Sequence, residues 1–287
     1  MSSAESDESQ TTELPSIAVL GAGSMGRAIL SGLLAPHVHV TGGIRVTNRS
    51  AAKAAEFDDE PAVTAFATDD DPDANRRAVA GASVVLVAVK PAMVPDLLDE
   101  VADALEPGTV VVSVAAGVTV ATFEEHLPEG IAVIRSMPNT PAVVGKAVTG
   151  ISPGTRSTDP ELALVRALFE TVGTVVEVPE SQLDALSTIS GSGPAYVFLL
   201  IEAMTAAAVE KGFTDEQAAI LVNGTFAGAA ELLVASGKTP TDLRIQVTSP
   251  KGTTERAIAV LQDADLPALF TKATDAALAR AKELAAG

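Results

Sequence analysis

Short apolar runs alternate with stretches of helical periodicity from Ile17 to Val178, and beyond Pro179 only the helical periodicity continues. Ile17 to Leu20 is a run of the kind that becomes a strand buried on both faces. In the segment after it, Met25, Ile29, Leu30, Leu33 and Leu34 share one helical face. Ile44 to Thr47 predicts a second strand, Ala62 to Phe66 a weak third, and Ser83 to Val89 the clearest of all. Further strands are predicted at Thr109 to Val114, Ile131 to Ser136, Ala147 to Ile151 and Thr174 to Val178. Helices fall between them, at Asn75 to Ala80, Met93 to Leu105, Val120 to His126 and Pro160 to Thr171. Strands alternating with helices predict an α/β, doubly wound, Rossmann-type sheet.

After Pro179 the pattern predicts an all-α C-terminal domain. Pro194 suits the first turn of a helix running through Glu202 to Lys211, closed by Gly212. That helix is apolar on nearly every face, so it is either central to its domain or shared with another subunit, and a homodimer packed through this dimerisation domain is the natural inference. Thr214 and Gln217 fit a capping box for the next helix, which reaches about Ser236, and Asp265 caps the last. The expected divisions are a disordered acidic tail at 1–15, a dinucleotide-binding domain at 16–178 and a helical dimerisation and substrate domain at 179–287.

Chemistry concentrates where the predicted strands end. GAGSMG places Gly21, Gly23 and Gly26 in G-x-G-x-x-G spacing between a strand and a helix. In that spacing the first glycine turns the chain, the second admits a pyrophosphate, and the third lets the helix lie on the sheet. The free amides of the helix start favour an anion. At the end of the second strand stand Asn48, Arg49 and Ser50, where an NAD enzyme usually carries an acid; Arg49 offers a fork of donors to a 2′-phosphate instead. Ser50 alternatively caps the next helix. Val-Lys-Pro at 89–91 and the small residues Ala115, Ala116 and Gly117 also lie at strand ends on the cofactor side. MPNTPAVVG, from Met137 to Gly145, carries two prolines and is expected to be non-helical and to line the cleft. A second anion cradle is predicted after Pro250 and Gly252, where Thr253 and Thr254 open a helix; taken alone, the turn reads equally as a helix cap and nothing more.

Composition narrows the partners. The 287 residues are 47% hydrophobic but only 3% aromatic, and the formal charge of -18 repels a phosphate backbone, so no nucleic-acid partner is expected. Without cysteine there is no disulfide, thiolate catalyst or Cys-bound metal, and no metal site is expected. The acidic start resembles no secretory signal, and Glu202 interrupts the longest apolar helix, so the expectation is a soluble cytoplasmic protein without a membrane span. Carboxylates at 58–60 and 69–73 read as a solvated, halophilic-type acidic surface. The three histidines, His37, His39 and His126, lie away from the strand ends and are given no role.

Taken together, GAGSMG, Asn75 ahead of AVKP, SVAAGV, RSMPNTPA, SGSGPAYVF and VTSPKGTT resemble the pyrroline-5-carboxylate reductase family in order and spacing, from Ile17 to the last helix. The resemblance implies reduction of a cyclic imine carboxylate by NADPH or NADH, the last step of proline synthesis. It assigns the pyrophosphate to Gly21, Gly23, Ser24 and Met25, and the adenosine ribose to Asn48, Arg49 and Ser50. It gives the remaining ribose side to Asn75, Lys90 and Pro91, and the nicotinamide to Ala115, Met137 and Asn139. Ser249, Gly252, Thr253 and Thr254 would take the substrate carboxylate, with the Thr254 hydroxyl directed at the ring nitrogen as the catalytic group. It further implies a homodimer and a decamer made of five dimers. Ser24 replaces the family's usual Asn, Ile245 a frequent Asp, and Lys251 a glycine. If that glycine needs positive φ, Lys251 strains the turn; alternatively its ammonium strengthens anion binding.

Two other readings compete. An NADP-dependent 3-hydroxyacid dehydrogenase needs a catalytic Lys on the interdomain helix, and Ser181 to Glu210 contains none. A non-catalytic NADPH sensor would show a spoiled substrate turn, at which Lys251 is the one hint.

Overall fold

The computed structural model describes residues 11–285, so the first ten residues of the expected acidic tail lie outside the description. The rest of that expectation is corrected. Thr12–Leu14 is a strand, β1, paired in parallel with β3 at Val38–Val40, and Leu14 is buried in the core.

The remaining strands are β2 (Ile17–Leu20), β4 (Ile44–Asn48), β5 (Val63–Ala67), β6 (Val84–Val87), β7 (Val110–Ser113), β8 (Ala132–Met137), β9 (Ala147–Pro153) and β10 (Gly173–Glu177). They form an eight-stranded sheet in the order β10-β9-β8-β7-β6-β2-β4-β5. Every neighbouring pair is parallel except β8 with β9. The order reverses beside β2, which opens a crevice beyond its carboxyl end.

Both faces of the sheet are covered. Ile17 and Val19 pack into one cluster with α1 (Ser24–Leu33) and α6 (Asp159–Glu170). Ala18 and Leu20 pack into the other with α3 (Ala74–Val79), α4 (Val94–Val101) and α5 (Val120–His126). This double covering is why the strands read as unbroken apolar runs. A short helix α2 (Ala51–Ala54) follows β4. The prolines of MPNTPAVVG do not prevent helix altogether: Thr140–Val144 is a 3₁₀ turn, with Pro141 in its first turn, where no amide hydrogen is needed.

Contacts divide the chain into Met1–Gly191 with Leu278–Gly287, and Ser192–Ala277. The first unit thus extends past the expected boundary at Val178, because α7 (Glu180–Leu186) lies directly on the sheet. A Cβ at Gly150 of β9 would come within 2.6 Å of Leu186 Cδ1. Arg135 of β8, whose side chain is nearly buried, donates to Glu180 (3.2 Å) and Asp184 (2.8 Å), and Glu180 also accepts from the Val120 amide at 2.7 Å. A π turn at Ser187–Gly191 follows α7 up to the boundary with the second unit.

The second unit contains helices α8 (Gly193–Glu210), α9 (Asp215–Ser236), α10 (Pro240–Gln246), α11 (Thr253–Asp263) and most of α12 (Leu266–Ala285). The Thr214–Gln217 capping box forms as its spacing predicts. The merged helical stretch Glu180–Glu210 and α9 are long and apolar enough to cross a membrane, and no residue of α8 is buried.

Candidate active site

The glycine turn between β2 and α1 has three distinct steric demands. Gly21 has φ +87°, and a Cβ there would stand 2.8 Å from Val89 Cγ1 and 3.1 Å from the Ala88 oxygen. Gly26 would meet the Gly21 oxygen at 2.8 Å, so α1 starts tight against the turn. At Gly23 the Cβ direction opens on empty space. The helix start that follows has no side-chain cap and no acid in its first turn, so its amides face that space uncompensated.

Around this turn lies a cleft of about 930 Å³. It brings together Gly21, Gly23, Ser24, Asn48, Arg49, Ser50, Asn75 and Lys90 of the expected cofactor set. The Thr47 hydroxyl accepts from the Gly21 amide (3.2 Å), joining β4 to the turn. Asn48 is only 7% exposed, and its Nδ2 is buried without a hydrogen-bond partner. Such a group is costly unless a ligand accepts from it. Ser50 occupies the N-cap position of α2, yet its side chain makes no cap bond, so the hydroxyl is not spent on the helix. Arg49 beside it is exposed.

Five expected residues do not line this cleft. Met25 packs against the core, Pro91 starts an exposed 3₁₀ turn, and Ala115 is 3% exposed within the second core cluster. Met137 lies against Gly191, whose Cβ direction passes 3.4 Å from Met137 Cε. Asn139 uses both ends of its carboxamide internally: Nδ2 donates to the Ser190 oxygen and Oδ1 accepts from the Val148 amide, each at 2.9 Å. Its side chain therefore ties the 3₁₀ turn to the π turn and is not free for a ligand.

Sequence reading missed Arg27, Lys53 and Glu100, which also line the cleft. Arg27 donates from Nε to the Ala22 oxygen (3.1 Å), lies 5.0 Å over the Phe57 ring and pairs with Glu56. Lys53 joins Glu56 at 2.8 Å. The hydrogen bond from Lys53, with help from Arg27, holds the exposed Glu56 carboxyl below its ordinary range. Arg27 and Lys53 stand three and five positions past Ser24 and Asn48, on helical faces that only the folded turn directs at the cleft.

In the second unit, the turn before α11 is built as its sequence suggests and carries a strained residue. Lys251 has φ +61°, a region glycine adopts freely and a lysine enters at roughly 1–2 kcal/mol. Its amide donates to Glu255 at 2.8 Å. The Gly252 amide donates to the Ser249 oxygen at 2.9 Å, and a Cβ at Gly252 would meet that same oxygen at 2.9 Å. Thr253 and Thr254 form the first turn of α11, whose start has no side-chain cap.

Comparison with known proteins agrees across nearly the whole chain. A family model for pyrroline-5-carboxylate reductase dimerisation matches residues 180–284, and one for NADP oxidoreductase, coenzyme F420-dependent, matches 16–117. A pyrroline-5-carboxylate reductase of Corynebacterium melassecola is 39% identical, over 94% of this chain and 99% of its own. One from Methanosarcina acetivorans is 36% identical, over 93% and 97%. Among solved structures, a pyrroline-5-carboxylate reductase from Coxiella burnetii is 38% identical with a TM-score of 0.85, covering 93% of this chain and 97% of that one. A Plasmodium falciparum pyrroline carboxylate reductase solved with NADP bound shares the fold at 23% identity, with a TM-score of 0.78 over 94% and 98%.

Proposed function

This chain belongs to the pyrroline-5-carboxylate reductase family, and from that premise we propose how its residues divide the reduction of 1-pyrroline-5-carboxylate to L-proline. The cleft of the first unit holds NADPH, or NADH in its place. The observation that carries this reading is Asn48, whose buried and unpartnered Nδ2 at the end of β4 needs an acceptor that the protein itself does not supply.

Gly21, Gly23, Ser24 and Met25 present the turn and the uncapped helix start to the pyrophosphate. Asn48 donates to the adenosine ribose, and Arg49 with Ser50 favours a 2′-phosphate on it. Asn75, Lys90 and Pro91 bound the other ribose. Ala115 and Met137 shape the nicotinamide end, and Asn139 holds that turn in place through Ser190 and Val148. When bound, the reduced cofactor supplies the hydride that adds to the C=N carbon.

Ser249, Gly252, Thr253 and Thr254 receive the substrate carboxylate on the open amides before and within the first turn of α11. The Thr254 hydroxyl accepts the iminium N–H and keeps that proton at the ring nitrogen. A protonated imine is already electrophilic, so orientation supplies most of the rate and no histidine base is needed. The apolar faces of α8 and α9 pair with a second copy, and the dimers assemble into a decamer. The enzyme is soluble and cytoplasmic, and its acidic surface suits high salt.

The test is NADPH oxidation by the purified protein with 1-pyrroline-5-carboxylate, beside NADH and from low to molar salt. Imine-dependent turnover that is faster with NADPH and rises with salt is expected, because the screening length shrinks from about 10 Å at 0.1 M to about 3 Å at 1 M. Binding of NADPH without turnover at any salt would return the chain to the sensor reading.

A further inference from the structure

Asn75 stands second in α3, facing the cleft, and Glu100 stands near the end of α4 on the same cleft. The carboxamide Nδ2 of Asn75 donates to Oε1 and Oε2 of Glu100, at 3.1 and 3.2 Å. A carboxylate offers acceptors only, whereas a carboxamide has a donor end and an acceptor end that exchange when it flips by half a turn. Glu100 therefore selects one of the two flips. The end of α4 that carries it is itself held: Arg76 donates to the Glu100 main-chain oxygen at 2.9 Å and pairs with Asp103 at 2.5 Å.

We propose that Glu100 is a positioning residue for the cofactor, which locks the Asn75 carboxamide with its Oδ1 free to accept a ribose hydroxyl. This rests on the reading that the cleft holds the dinucleotide and that Asn75 meets its ribose. A carboxamide free to flip presents its acceptor end only half the time. A locked one is preorganised for the acceptor role and spends no orientational freedom on binding. Glu100 acts through Asn75, to which both its oxygens are turned.

The experiment is a fluorescence titration of NADPH in the absence of imine, on the full chain, with Glu100→Gln, Asn75→Ala and the double variant. Gln keeps the size of Glu but offers a donor as well as an acceptor, so it accommodates either flip. Asn75→Ala should weaken NADPH by roughly 3- to 10-fold, the range of one hydrogen bond, and Glu100→Gln by somewhat less. In the double variant Glu100→Gln should add nothing, because it acts through Asn75. If Glu100→Gln weakens binding equally with and without Asn75, or leaves it unchanged while Asn75→Ala weakens it, the positioning role is overturned and the site reading stands. If Asn75→Ala itself leaves the affinity unchanged, the ribose contact falls and the role of Glu100 falls with it. Melting curves of each variant separate a loss of fold from a loss of affinity; a lowered melting temperature in Glu100→Gln with unchanged affinity identifies a merely structural bond and overturns the proposal.

Discussion

The two units use the same kinds of residue to opposite ends. In β2 of the first, Ile17, Ala18, Val19 and Leu20 are wholly buried, because the chain supplies helices for both faces of its sheet. In the second, α8 is as apolar as any strand and none of its residues is buried; Leu199 is 64% exposed, and Ile220 of α9 is 74% exposed. The first unit completes its own core, while the second leaves its long apolar helices largely uncovered. Apolar periodicity alone predicts burial, and only the available helices decide whether the covering surface is in the same chain.

The sharpest way to break this contrast is to charge the open face. In the proposed dimer Leu199→Glu puts a carboxylate into both copies, and losing burial of a leucine costs about 1.5–3 kcal/mol per copy. Sedimentation over a dilution series should show the dissociation constant rising by roughly 100-fold or more. A variant that stays dimeric at the lowest measurable concentration would mean that this face is not the interface.

A substitution in the self-contained unit should act differently. Gly21→Ala forces a side chain to φ +87° and toward Val89, a strain of about 1–3 kcal/mol. NADPH should bind roughly tenfold or more weakly by titration, with the oligomer unaffected in sedimentation. Dissociation of the dimer would show that the units are not separable in this way.

The smallest effect is expected at Lys251→Gly. Removing the left-handed lysine should raise stability by up to about 1 kcal/mol, seen as a higher melting temperature. It also removes an ammonium from the proposed carboxylate turn, while the main-chain amide that donates to Glu255 remains, so the KM for the imine should rise about two- to fivefold at low salt with NADPH affinity constant. A gain in stability together with a higher KM marks a residue kept for binding; an unchanged KM would place Lys251 outside the site.

Local features were legible in the sequence and non-local ones were not. The glycine turn, the Thr214–Gln217 box and the strand runs each state their structure within a few residues. The positive φ of Lys251 was legible as an alternative that backbone geometry then decided. By contrast, β1 and β3 are three residues each and are strands only because they pair with one another. The ties of Asn139 to Ser190, Asn75 to Glu100 and Arg135 to Glu180 and Asp184 join positions far apart in the chain, and no periodicity announces them. Ala115 shows the same limit: a small residue at a strand end reads as room for a ring, and only the fold shows that its side chain packs into the second core cluster.

The walls around Gly21 have a consequence for how the protein comes into being on the ribosome. The turn is shaped on one side by Thr47 and on the other by Ala88 and Val89, which follow the strand that pairs with β2. Synthesis is vectorial, and a domain acquires its contacts only as the residues that make them emerge. A nascent chain that ends before Ala88 already carries every letter of the glycine motif, yet has nothing to press the turn into shape. Nucleotide binding therefore cannot precede the emergence of β6 and the residues just after it, long after its signature has been translated.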